Sequence, residues 1–179
     1  VEKGTRHALI GPNGAGKTTL FNVISGIHDP EKGTVYFKGK DLRGVPSRKR
    51  IHKGLSRSFQ NIRLMPHLSV LENVMLGQHS RIDFVDMFKP LDFLSKSSGK
   101  GEAIETLKSF GIDLHKGQTV SSLPYGIRKK IEVVRALMAK PSLLLLDEPA
   151  AGLNTAETKK LRDFLKEVSR RGITLLLVD

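Results

Sequence analysis

The chain of 179 residues contains no cysteine and no tryptophan, and only 6% of its residues are aromatic. Without cysteine no disulfide can form, which permits a reducing compartment. Long apolar runs are also absent: the longest, residues 143–146 and 173–178, are far shorter than the ~20 residues that span a bilayer. No N-terminal stretch has the layout of a signal peptide. The length fits one domain, and the apolar fraction of 39% is sufficient for a core.

Acidic residues are scarce relative to basic ones, 18 against 30, which gives a formal net charge of +12. Such a charge attracts nucleic acids, anionic lipids or nucleotides. The basic clusters, at 48–50, 128–130, 159–160 and 170–171, are short, scattered and not interleaved with aromatic residues. We therefore interpret them as solvated helix faces and do not expect nucleic acid as a partner.

Short apolar segments alternate with longer amphipathic segments, which predicts an α/β fold. Two runs, 143–146 and 173–178, are apolar at nearly every position, as in parallel strands covered on both faces. Further strands are predicted to end or lie at 8–10, 35–37 and 56–59. Helices are predicted at 18–25, 102–110 and 127–139, after a capping box at Ser69 and Glu72, and after Asn154 and Glu157. Residues 46–53 are interpreted as a short basic helix or loop, and 77–100 form the least regular stretch.

Residues 11–18 read Gly-Pro-Asn-Gly-Ala-Gly-Lys-Thr and match the phosphate-binding pattern Gly-x-x-x-x-Gly-Lys-Thr between a predicted strand and a predicted helix. The glycines allow consecutive N–H groups to face phosphate oxygens, and the following helix directs its positive end to the same place. Lys17 adds a charge for the β- and γ-phosphates, and the Thr18 hydroxyl can bind Mg²⁺. The predicted nucleotide-binding residues are Asn13, Gly14, Ala15, Gly16, Lys17, Thr18 and Thr19. Kinases, GTPases, helicases and transport ATPases all contain such a loop.

Two carboxylates, Asp147 and Glu148, directly follow the apolar run 143–146. Ligand sites in open α/β sheets lie at the carboxyl ends of the strands. We predict that Asp147 holds Mg²⁺, directly or through water. Glu148 is predicted to orient or deprotonate an attacking water, as phosphoryl transfer requires.

The order of four motifs resembles that of ABC transporter ATPases: the phosphate loop, Ser-Phe-Gln-Asn-Ile-Arg-Leu at 58–64, Leu-Pro-Tyr-Gly at 123–126 and Leu-Asp-Glu-Pro at 146–149. In detail the motifs are similar to the ATP-binding subunits of branched-chain amino acid importers, the LivG type. The resemblance implies an ABC nucleotide-binding domain with the P-loop NTPase fold, a mostly parallel sheet core and a helical subdomain. Residues 1–60 and 141–179 would form the RecA-like core, and roughly 65–140 the helical subdomain with the signature motif.

The resemblance also implies roles for single residues. Gln60 would contact Mg²⁺ or the attacking water and sense the γ-phosphate, which makes it a catalytic and metal-binding residue beside Glu148. The segment after Gln60 would meet a transmembrane partner, and residues 151–154 would cross a dimer interface. A signature motif would cap the ATP held by the phosphate loop of a second subunit, so that activity requires a dimer. The signature residues are Leu123, Pro124, Tyr125 and Gly126.

The chain departs from the family pattern at three places. Pro124 replaces the usual serine of the signature, which removes a hydrogen bond to phosphate worth ~1.5–3 kcal/mol. Residues 1–10 contain no aromatic residue that could stack on adenine, and none of the six histidines occupies the family's catalytic position beyond Val178. We therefore expect a single domain over 1–179 that is truncated at both ends, with weak ATP binding and little turnover from these residues alone.

For function, the resemblance implies a subunit that couples MgATP hydrolysis to the uptake of small solutes, such as branched-chain or other hydrophobic amino acids. Its partners would be a second ATP-binding subunit, transmembrane permease subunits and, indirectly, a substrate-binding protein, at the cytoplasmic face of the membrane. A non-transport ABC ATPase, an ABC exporter subunit and a cassette that binds ATP without hydrolysing it remain alternatives. The cassette does not touch the solute, so its motifs do not identify it.

Overall fold

The computed structural model describes residues 1–58, 63–81, 96–113 and 118–178. The elements in chain order are β1 (Arg6–Leu9), α1 (Lys17–Ser25), β2 (Tyr36–Phe37), β3 (Lys40–Asp41), α2 (Ser47–His52), β4 (Leu55–Arg57), α3 (Val70–Met75), a 3₁₀ helix (Leu76–Arg81), α4 (Lys96–Ser109), a 3₁₀ turn (Val120–Ser122), α5 (Tyr125–Leu137), β5 (Leu143–Asp147), α6 (Thr155–Arg170) and β6 (Thr174–Val178). None of the described helices combines the length and apolar character that a bilayer span requires.

Four strands form the central sheet in the order β1-β6-β5-β4, and every neighbouring pair is parallel. The short β2 and β3 pair antiparallel as a separate hairpin. The predicted α/β class and parallel sheet are confirmed.

Alternating residues of β5 pack into two hydrophobic clusters, because successive side chains of a strand point to opposite faces. Leu143 and Leu145 join one cluster with Phe21 of α1. Leu144 and Leu146 join the other, which includes residues of α3, α4, α5 and α6. All five residues of β5 are buried. This two-sided burial explains why the strand is leucine at four consecutive positions.

Local signals define the helix starts. Ser69 accepts a hydrogen bond from Glu72 N–H at 3.2 Å, and the Glu72 carboxylate accepts one from Ser69 N–H at 2.8 Å. Asn154 and Glu157 form the same reciprocal arrangement before α6. Both predicted caps are therefore confirmed.

Helix α4 begins at Lys96, six residues before the predicted start at 102, although it includes two glycines. Glycine lowers helix propensity by about 1 kcal/mol, which obscured this part of the helix in the sequence. A tertiary contact explains why one of the two glycines, Gly99, has no side chain. Gln78 Nε2 donates to Gly99 O at 2.7 Å, and a Cβ at Gly99 would lie only 2.6 Å from Gln78 Oε1.

Two other boundaries differ from prediction. Helix α5 spans Tyr125–Leu137 instead of 127–139: it begins directly after Pro124, whose ψ of 147° is not helical, and ends before its C-cap Met138. Strand β4 ends at Arg57, whereas the prediction continued to 59. Residue 58 follows as irregular backbone, and 59 lies outside the described residues.

Candidate nucleotide-binding site

The phosphate loop and the acidic pair lie at the same edge of the sheet. Leu9 at the end of β1 and Asp147 at the end of β5 both align with Val178 of β6, which lies between them. Neighbouring strands are ~4.8 Å apart, so β1 and β5 end roughly 10 Å from each other. The two motifs, which are more than a hundred positions apart in the sequence, therefore face one shared space at the carboxyl edge.

The phosphate loop is held open by two glycines in the left-handed region, Gly14 with φ 81° and Gly16 with φ 87°. The Ala15 N–H bonds back to Pro12 O at 3.2 Å. Among the described residues, no acceptor lies within hydrogen-bonding range of the N–H groups of Gly14, Gly16, Lys17 and Thr18. Helix α1 has no side-chain cap and no acidic residue in its first turn. This exposed set of donors at a helix N-terminus suits an anion such as phosphate.

The Lys17 side chain folds back onto the first residue of its own loop. Its ammonium group donates to Gly11 O, and its side chain is half-buried, whereas Thr18 and Thr19 are exposed. An ammonium group has three donors, so this contact leaves two that can bind phosphate oxygens. The lysine is thus positioned by the loop before any ligand arrives.

Asp147 is buried and paired with Arg57. Arg57 Nη2 lies 2.6 Å from Asp147 Oδ2, and the exposed fractions of the two side chains are 9% and 7%. The other oxygen, Oδ1, accepts no hydrogen bond from the residues that the structure describes. One oxygen of the predicted metal ligand is therefore paired with a cation of the protein, whereas the other has no hydrogen-bond donor among the described residues.

The donor chemistry of the edge fits Mg²⁺. Asp147 offers a carboxylate oxygen and Thr18 an exposed hydroxyl, and Mg²⁺ prefers such oxygen ligands. Within the described ranges, no group of three or more His, Asp or Glu residues could hold a metal by itself. A magnesium ion here would need further ligands, and nucleotide phosphates are the usual source.

Glu148 has an unusual backbone conformation, with φ 43° in a residue that is not glycine. Its N–H donates to Val178 O at 3.0 Å, and its C=O accepts from Ala151 N–H at 3.1 Å. Such a conformation costs ~1–3 kcal/mol and is concentrated at functional sites. The chain turns sharply here, directly after the buried Asp147, so that the Glu148 side chain is only partly buried.

The predicted signature residues lie at the start of α5, against the segment 151–154. A Cβ at Gly152 would be 3.3 Å from Tyr125 Cε1, and a Cβ at Gly126 would be 3.2 Å from Glu157 Oε1. Arg128 and Lys129 lie over the Tyr125 ring at 5.5 and 5.6 Å. The structure thus places the predicted signature, 123–126, against the segment 151–154, and the family resemblance assigns both to contacts with a second subunit.

Gln60, the remaining predicted catalytic and metal-binding residue, lies outside the described residues, together with 59, 61 and 62. The chain is described again from Arg63, which is anchored to α5. Arg63 N–H donates to Glu132 Oε1 at 3.4 Å, and Arg135 Nη1 donates to Arg63 O at 2.7 Å. Burial lowers the pKa of Arg135, and Glu132 is 3% exposed. The chain at Arg63 is therefore attached to α5, the helix that carries the predicted signature.

Arg57 was not predicted from the sequence. The available signal was an arginine between Ser56 and Ser58, inside a segment predicted as a strand. Charged residues are almost never fully buried without a partner, so a buried strand position for Arg57 would have implied a nearby acid.

Comparisons with known proteins agree with this site. Residues 1–151 match the family model described as ABC transporter. The high-affinity branched-chain amino acid transport ATP-binding protein LivG of Escherichia coli (strain K12) is 36% identical over 177 residues, which cover 96% of this chain and 69% of LivG. The corresponding protein BraF of Pseudomonas aeruginosa is 34% identical over 184 residues, covering 100% of this chain and 72% of BraF.

Two solved structures resemble the whole chain. A nucleotide-free ATP-binding cassette from an ABC transporter has a TM-score of 0.84 at 30% identity, covering 100% of this chain and 72% of the other. The ADP conformation of MJ1267, an ATP-binding cassette of an ABC transporter, has a TM-score of 0.85 at 31% identity, covering 100% and 71%.

Proposed function

This chain belongs to the ABC transporter family, and we propose that it is the ATP-hydrolysing subunit of an importer for branched-chain or other hydrophobic amino acids. The chain is an ATPase of the ATP-binding cassette type. The observation that carries the proposal is the shared sheet edge, at which both the phosphate loop with its open N–H groups and the acidic pair Asp147 and Glu148 follow aligned strand ends. The solute is inferred from the names of LivG and BraF.

In the proposed reaction, water attacks the γ-phosphate and ATP is converted to ADP and phosphate. The loop N–H groups and Lys17 bind the phosphate oxygens. Thr18 and Asp147 would hold Mg²⁺, which neutralises phosphate charge when bound. Glu148, at the turn after β5, orients the attacking water and accepts its proton. Gln60 would support the metal and the water.

A second ATP-binding subunit completes the site in this proposal. The signature of each subunit caps the nucleotide of the other through the start of α5, where the Tyr125 and Gly126 N–H groups precede the first helical hydrogen bonds. Pro124 has no hydroxyl to add, so the closed dimer is expected to be weaker than in cassettes with a serine there. Permease subunits at the cytoplasmic face of the membrane would be the further partners, with a substrate-binding protein acting indirectly.

The division into a RecA-like core of 1–60 and 141–179 and a helical subdomain of roughly 65–140 remains part of the proposal. It is supported by the distribution of elements, since the six strands of the described residues all fall within 1–60 and 141–179. Between 65 and 140 the described elements are helical.

The catalytic proposal is tested with two variants of this subunit, each assayed in its complex with the permease subunits. Lys17→Ala is expected to weaken binding of a fluorescent ATP analogue by about 100-fold, because it removes charged hydrogen bonds worth ~3 kcal/mol. Glu148→Gln is expected to bind ATP normally but to hydrolyse it at least ~100-fold more slowly, since a general base contributes ~10²–10⁴-fold. Lys32→Ala and Glu31→Gln, in an exposed turn, are the matched controls. Turnover of Glu148→Gln at the parent rate would refute the assignment of the base.

The transport proposal is tested separately. The complex captured through this subunit is reconstituted into vesicles, and ATP-dependent uptake of labelled leucine is measured against labelled ribose. We expect leucine uptake by the parent complex and no uptake by the complex that contains Glu148→Gln. Capture of nucleic acid in a salt-sensitive complex, without permease subunits, would instead support the non-transport alternative.

A further inference from the structure

Arg57 contacts Asp147 of the candidate site but belongs to none of its sequence motifs. Its strand, β4, pairs with β5, and Arg57 aligns with Leu145, two residues before Asp147. The side chain is 9% exposed, and its guanidinium group lies 2.6 Å from Asp147 Oδ2. A buried cation therefore contacts the carboxylate that is expected to hold the metal.

The same guanidinium group also contacts α1, the helix that begins with the phosphate loop. Arg57 Nη1 donates to Asn22 Oδ1 at 2.7 Å and to Ser25 Oγ at 3.1 Å. Its Cζ lies 5.6 Å from the ring centroid of Phe21. These contacts hold the cation in place independently of Asp147, so that its charge stays near the carboxylate whether or not another cation binds there.

We propose that Arg57 is the counter-ion of Asp147 in the metal-free protein, and that it thereby lowers the affinity of the nucleotide site for Mg²⁺. The inference rests on the proposed function, in which Asp147 holds Mg²⁺ together with a nucleotide. Arg57 is a positioning residue, because it acts through Asp147.

Removal of Arg57 has two electrostatic effects, and both raise the affinity for Mg²⁺. Without Arg57, the metal-free state would contain a buried carboxylate with no counter-ion among the described residues, which is unfavourable, whereas Mg²⁺ would neutralise that carboxylate once bound. The substitution also removes a positive charge that repels Mg²⁺. Loss of orientation of the carboxylate opposes both effects, because outer-shell partners orient metal ligands. Asp147 is also held by its place in a fully buried strand, so we expect the two electrostatic effects to dominate.

The test measures how much Mg²⁺ is required for binding of a fluorescent ADP analogue to the full chain. Arg57→Met removes the charge and keeps the length of the side chain, and Arg57→Gln removes the charge but keeps a hydrogen-bond donor. Both are expected to lower the Mg²⁺ concentration for half-maximal binding by about tenfold, even though their thermal stability falls. Binding of the analogue in EDTA is expected to change by less than about threefold.

Two controls separate charge from structure. Arg57→Lys keeps the charge, and Asn22→Ala removes a contact to Arg57 without touching Asp147; neither is expected to change the Mg²⁺ requirement by more than about twofold. If Arg57 had only a structural role, both neutral variants would be less stable and would require more Mg²⁺ for binding. If a neutral variant that folds needs the same or a higher Mg²⁺ concentration for half-maximal binding, the inference about Arg57 is refuted, whereas the proposed function is not. A parent chain that binds no nucleotide would refute the proposed function as well.

Discussion

Replacement of Arg50 by methionine should cost about 4 kcal/mol of unfolding free energy. Arg50 lies on α2, is 1% exposed, and donates four hydrogen bonds to main-chain carbonyls. The acceptors are Val45 O at 2.8 Å, Val23 O and Ile24 O at 2.7 Å, and Leu42 O at 2.9 Å. The side chain thus joins the end of α1 to the segment between β3 and α2. Burial lowers the pKa of Arg50, because the charged form is desolvated there.

The size of the expected stability loss follows from the hydrogen bonds that the four carbonyls lose. Val23 O and Leu42 O also accept hydrogen bonds from Gly26 and Val45, so each keeps a partner. Among the described residues, no other donor reaches Ile24 O or Val45 O. Ile24 and Val45 are half-buried as residues, but their carbonyls face a side chain that is only 1% exposed. An acceptor that loses its partner in such a place costs ~1–3 kcal/mol, so two cost about 2–6 kcal/mol. Methionine fills the space, which limits the additional cavity term.

The assay is urea unfolding followed by circular dichroism at neutral pH. Arg48→Met, at an exposed position of the same helix, is the matched control and should change stability by less than about 0.5 kcal/mol. The m-value should not change, because the surface exposed on unfolding is nearly the same. A loss below about 1 kcal/mol for Arg50→Met would refute the reasoning, since methionine packing would then compensate for the two unpaired carbonyls.

Two smaller perturbations test contacts at helix ends. Ser69→Ala removes the cap of α3 and should cost about 1 kcal/mol in the same assay. The hydrogen bonds from Ser69 lower the pKa of Glu72, so their contribution should be present above the ordinary carboxyl pKa and lost as the pH falls through the lowered pKa of the folded state; a loss that stays equal over the whole acid range would contradict this. Arg171→Lys should lower the melting temperature by a few degrees, because lysine cannot keep both hydrogen bonds to Ser109 while stacking 3.9 Å from the Phe110 ring. An unchanged melting temperature would show that the guanidinium shape is not required.

Local patterns were sufficient to predict the sheet, the phosphate loop and the acidic pair. Each depends on neighbouring residues: four leucines before Asp147, or glycines at set positions before Lys17. The pairing of Arg57 with Asp147 could not be read in this way, because the two residues are 90 positions apart and their contact depends on β4 lying beside β5. Similarly, the hydrogen bond from Glu148, the residue with a positive φ, to Val178 depends on a strand that lies about 30 positions later in the chain.

The position of β6 between β1 and β5 has a consequence for biosynthesis. The Gly4 N–H bonds to the Thr174 hydroxyl, 170 positions later in the chain, and β1 has no neighbour in the described sheet except β6. At ~5–20 residues per second, a ribosome adds those residues in roughly 10–30 s, during which the phosphate loop has left the tunnel without the sheet that orients it. Nucleotide capture should therefore begin only after β6 has been translated, and a stalled nascent chain that ends before β6 should not be retained on immobilised ATP.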